Sequence, residues 1–143
     1  MTVNKAYSIS IFSTQNVDGQ TSESKITVPC KFNFKNKLGL ISYEEVIENN
    51  KFFSNIKICG PDKIIISRKG MQSVNFVFEK NKRHVCTYFT QFGNIQMGVS
   101  THKICCSFEK NFCHINLSYS LDANNSHLSK NKVIIDVKEE NNV

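Results

Sequence analysis

Apolar and polar residues alternate with a period of two along most of this chain, and that pattern constrains the fold more than any motif does. The cleanest run is 25–35. Ile26, Val28, Cys30, Phe32 and Phe34 share one face there, and Lys25, Thr27, Lys31, Asn33 and Lys35 the other. Successive side chains on a strand point to opposite faces, so such a run offers one face to a core and one to water. The pattern recurs with Tyr7, Ile9 and Ile11, with Val74, Phe76 and Phe78, with Cys113, Ile115 and Leu117, and with Val133, Ile135 and Val137. Turn signals punctuate it at Asp18-Gly19, Asn36 to Gly39, Asn49-Asn50, Gly60-Pro61-Asp62, Lys69-Gly70 and Glu109-Lys110-Asn111. One run changes phase. Ile95, Met97, Val99 and Thr101 share a face, but after His102 the apolar positions are Ile104, Cys106 and Phe108, which predicts a β-bulge. No segment carries the apolar stripe of a helix; SYEEVIENNKF at 42–52 comes nearest.

About ten short strands joined by hairpins make an up-and-down antiparallel sheet, and closure removes its exposed edges. The expected fold is therefore all-β: a closed antiparallel up-and-down β-barrel of about eight to ten strands, one domain over 1–143, with a frayed tail at 139–143. A chain of 143 residues buries roughly 68–70% of its unfolded surface, so its core needs no disulfide or metal staple. Eleven Phe and four Tyr supply bulky apolar mass in the absence of Trp.

The first residues lack the basic and apolar regions of a signal peptide, and no stretch approaches the ~20 apolar residues of a membrane helix. The expectation is a cytoplasmic protein with no membrane span. In that compartment Cys30, Cys59, Cys86, Cys105, Cys106 and Cys113 are read as free thiols, most of them small hydrophobes within apolar strand patterns. The net charge of +6 is spread along the chain. The densest basic cluster, KNKR at 80–83, reads as a hairpin tip, so nucleic acid is not the expected partner.

Four segments in order, LISYEEVIE, IIISRKG, TYFTQFGNIQMGVST and INLSYSLD, resemble the YwiB-like family of small bacterial proteins. The resemblance covers roughly 5–139. It implies a lipocalin-like (calycin-type) barrel in the cytoplasm of a low-GC Gram-positive bacterium, and it leaves the biochemical function open.

Polar residues on otherwise inward faces are the candidate site. Tyr43 and Glu45 share the face of Ile41, and Arg68 that of Ile64 and Ile66. Tyr88 and Thr90 share the face of Cys86, Thr101 follows Met97 and Val99, and Tyr119 follows Leu117. A charge turned into a barrel is costly unless paired, which makes Glu45 the expected partner of Arg68. Arg also stands out where lysines supply almost every other cation, because its planar fork pairs with carboxylates or phosphates. The ligand-site reading has Arg68 hold an anionic head group, the tyrosines orient it, and Phe76, Phe78 and Met97 pack an apolar tail. The other reading is a rim salt bridge over a filled core, with Tyr88, Thr90, Gln96 and Thr101 as ordinary wall residues.

His102, Cys105, Cys106, Cys113 and His114 lie close in sequence, but they show no CxxC and alternate between faces, so no metal or other cofactor is expected. No nucleophile elbow, phosphate-cradling loop or HExxH supports catalysis, and no catalytic residue is assigned. The functional expectation is a non-enzymatic binder of a small, partly apolar or anionic ligand. The alternative is a structural or protein-interaction barrel with a filled interior. A homodimer through an outer face is left open.

Overall fold

The computed structural model describes residues 6–124 and 126–140. Ten strands form one antiparallel sheet: β1 (Ala6–Val17), β2 (Gln20–Lys35), β3 (Leu38–Ile47), β4 (Asn50–Gly60), β5 (Lys63–Lys69), β6 (Val74–Glu79), β7 (Arg83–Thr90), β8 (Gly93–Glu109), β9 (Phe112–Ala123) and β10 (Ser126–Glu140). Among the described residues there is no helix. The order β6-β5-β4-β3-β2-β1-β10-β9-β8-β7 is up-and-down, with β1 zipped to β10 from Ala6↔Glu140 to Asn16↔Lys130. The sheet curls into a nearly closed barrel, as the alternation predicts. β10 keeps its pairing through Glu140; positions 141–143 of the expected frayed tail lie outside the described residues.

The seam falls between β6 and β7. These strands are consecutive, yet among the described residues the ladder between them is a single bridge from Ser73, just before β6, to Phe89, whose N–H groups each donate to the other's carbonyl at 3.0 and 2.9 Å. The connection between them bonds elsewhere. Asn81 N–H donates to Thr101 O at 2.9 Å, and Thr101 N–H to Lys82 O at 3.2 Å. Side chains span the remaining gap: His84 Nε2 meets Glu79 Oε1 at 2.9 Å, and the Tyr88 hydroxyl donates to Gln72 Oε1 at 2.9 Å.

The bulge stands where the phase change places it. The β8–β9 register shifts between Thr101 and Lys103, so Thr101 and Ile104 are both buried while His102 and Lys103 face out. Further shifts lie at Ile58/Gly60 and His127/Ser129.

The core is the inner face of the barrel. Ile9, Ile41, Ile56, Ile64, Ile115 and Leu117 are fully buried, each contributing about 1.5–3 kcal/mol by leaving water. At the end carrying the 36–37 and 61–62 turns, Phe32 packs edge-on to Tyr7 and Phe108, with ring centroids 5.5 and 6.3 Å away. The other end is less completely filled.

Candidate functional site

Inner-face positions on neighbouring strands align in rows across the sheet. One row runs Tyr43, Ser54, Arg68 and Val74 over β3, β4, β5 and β6. The next places Glu45 opposite Phe52. Tyr43, Glu45, Ser54, Arg68 and Val74, with Tyr88 and Tyr119 from the other half of the barrel, line a cavity of about 280 Å³. Its wall is apolar at Ile66, Phe76, Phe78 and Val133 and hydroxylic at Ser13, Ser24 and Ser54.

Arg68 does not ion-pair with Glu45 among the described residues. Its guanidinium carbon lies 4.4 Å from the centre of the Phe52 ring, the ring that stands opposite Glu45. The cation is therefore held by an aromatic face, an attraction of about 0.5–2 kcal/mol depending on desolvation. Arg68 Nε is buried and has no hydrogen-bond partner. A buried donor left without an acceptor costs about 1–3 kcal/mol, more when the group is charged.

Both charges act on Tyr43. Burial raises its pKa above the ordinary tyrosine value, the hydrogen bond with Ser54 opposes that, and the charges of Glu45 and Arg68 pull in opposite directions. Burial alone pushes Tyr119 up to about 12, with its ring 4.7 Å from that of Phe78. Both tyrosines stay neutral at physiological pH and keep their hydroxyl protons for donation.

The structure thus brings together Tyr43, Glu45, Arg68, Tyr88 and Tyr119. Thr90, Met97 and Thr101 lie elsewhere. Thr90 Oγ1 closes the β7–β8 turn, donating to Gly93 O at 2.6 Å and accepting from Phe92 N–H at 3.2 Å. Met97 packs against the core away from the cavity. Thr101 is fully buried at the bulge, its Oγ1 without a partner. Gln96 faces out. Ser13, Ser54 and Phe52 are additional to the sequence assignment, although each is in phase with buried isoleucines; Gln72, outside any strand, carries no periodic signal.

The histidines and cysteines are not gathered into one site. His102 Nε2 bonds Ser120 Oγ at 2.8 Å on the outer face, and His114 Nδ1 meets Asp136 Oδ1 at 2.6 Å. No group of three or more potential metal ligands exists among the described residues.

The sequence model of a domain of unknown function, DUF1934, matches residues 9–135. The chain belongs to the DUF1934 family. No curated protein matches it. The crystal structure of YwiB protein from Bacillus subtilis superposes with a TM-score of 0.86 at 16% identity, covering 96% of this chain and 93% of that one. That likeness shows the fold of this DUF1934 chain to be the YwiB barrel. The Ail attachment invasion locus protein of Yersinia pestis, crystallised with the heparin analogue sucrose octasulfate, aligns over 96% of this chain and 99% of its own at 12% identity. Its TM-score of 0.32 carries no argument. No helix among the described residues is long and apolar enough to cross a membrane.

Proposed function

We propose that this DUF1934 barrel binds a small, partly apolar, anionic ligand in the cavity at Arg68. The observation that carries the reading is the buried, unbonded Nε of Arg68 on the wall of a cavity that is part apolar and part hydroxylic. A carboxylate or phosphate oxygen there would satisfy that donor, with Tyr43 in the same row to orient it and Tyr88 across the cavity. Phe76, Phe78 and Ile66 would pack the apolar part. Six free thiols suit a reducing compartment, and we read the protein as cytoplasmic.

The second reading, a filled interaction barrel, is favoured by the tight packing of the end around Phe32 and by a cavity of only about 280 Å³. Native mass spectrometry of gently purified protein separates the two. A ligand gives a mass excess that vanishes on denaturation and is missing from Arg68→Met, while that variant keeps or gains stability because a poorly solvated cation has gone. A bare polypeptide mass, unchanged after incubation with a fatty-acid and metabolite extract, would sink the binding reading.

A further inference from the structure

At the barrel end opposite Arg68, two inward thiols meet. Cys106 and Cys113 lie on adjacent strands, with Cys106 paired to Ile115 and Phe108 to Cys113, which makes the cysteines diagonal neighbours on the inner face. That places the two thiols close enough for hydrogen-bond coupling. Cys113 is buried, 1% exposed. Cys106 is half-buried and lines an opening of about 330 Å³ between the 36–37 and 61–62 turns. Lys37 lines the same opening and Phe108 forms part of its wall. One thiol thus faces the opening, and the other stands behind it, shielded from solvent. Cys105, next in the chain, points out of the barrel.

We propose that Cys106 and Cys113 form an oxidisable dithiol, in which Cys106 reacts with hydrogen peroxide through the end opening and Cys113 resolves the product to a disulfide. The thiolate is the nucleophile in such chemistry. The hydrogen bond from Cys113 holds the Cys106 thiol below its ordinary pKa, while that bond and burial raise Cys113. In the first step the Cys106 thiolate attacks peroxide; an S–O bond forms, the O–O bond breaks, and hydroxide leaves to become water. In the second, the Cys113 sulfur attacks the Cys106 sulfenic acid. An S–S bond forms, the S–O bond breaks, and the hydroxide leaves with the Cys113 proton as water. The two thiols supply two electrons and peroxide is reduced to two waters. The sulfurs must close to about 2.05 Å, a movement for side-chain rotation and local adjustment beside Phe108, since β8 and β9 are already paired there.

The test is one molar equivalent of hydrogen peroxide added to reduced, folded protein, followed by denaturing mass spectrometry and fragment-ion mapping. The expected product has lost two hydrogens, carries a Cys106–Cys113 cross-link, and retains titratable thiols at Cys30, Cys59, Cys86 and Cys105. The same cross-link forms in Cys105→Ser. In Cys113→Ser the sulfenic acid persists and dimedone labels Cys106. A cross-link through Cys105, or dimedone labelling of Cys105 with none at Cys106, overturns the proposal. Should Cys113→Ser fail to fold, the wild-type and Cys105→Ser maps decide alone.

Discussion

Glu79 holds one end of the seam. It accepts from His84 at 2.9 Å and lies 3.2 Å from Lys82 Nζ. The hydrogen bonds of His84 and Lys82 depress its pKa below the ordinary glutamate value. A depressed carboxylate contributes stability above its unfolded pKa, and the contribution is lost as pH falls through the folded value. Glu79→Gln should therefore lower the thermal midpoint at neutral pH. The gap to wild type should narrow on acidification through the carboxylate range and close below the folded pKa. Thermal melts across that range check this, and a gap independent of pH would show that charge plays no part. The same scale explains why the sequence points to a Glu45–Arg68 pair that the structure does not form. Parity puts both side chains on the inner face, but it does not reveal that Phe52 occupies the place between them.

Hairpins show how far alternation reads and where it stops. Asp18-Gly19 has positive φ at both residues, 51° and 82°, as a DG signal in a two-residue turn requires. At the β3–β4 turn the sequence points to Asn49-Asn50, whereas the turn is Glu48-Asn49, with φ of 50° and 66°, because Asn50 already pairs with Ile47. Cross-strand pairing sets the register by matching Tyr43 with Ser54 and Ile41 with Ile56, and it forces Glu48 into the left-handed region. That conformation is costly for most L-residues and milder for Asn. Glu48→Asn should stabilise the fold by about 0.5–1 kcal/mol, read as a higher urea midpoint at unchanged slope; no change would mean that the turn carries no strain. Alternation also assigns faces without heights along the barrel. Arg68 and Tyr43 share a row and a cavity, whereas Met97 and Thr101, equally inward by parity, lie off it. The bulge at His102 was legible because an extra residue shifts the phase of every apolar position after it.

At the scale of the whole molecule, the barrel is zipped where the ends of the chain meet and weakest at its middle. β1 and β10 pair along eleven residues, but among the described residues the β6–β7 seam is joined by the Ser73–Phe89 bridge and the hydrogen bonds Glu79–His84 and Tyr88–Gln72. Tyr88 belongs to the seam and to the cavity wall alike, as do Val74, Phe76 and Phe78 of β6. Opening the seam would therefore expose the cavity directly, without unzipping any fully paired strands. Edges with few backbone bonds open at low free energy, while centrally paired strands exchange only through larger unfolding. Native-state hydrogen exchange should rank accordingly: amides of β6 and β7 that face the seam exchange fastest among strand residues, and those shared by β1 and β10 slowest. Glu79→Gln should speed the seam amides and leave β1 unchanged. Uniform protection around the barrel would instead mean that it opens only by global unfolding, leaving a ligand to enter through its end.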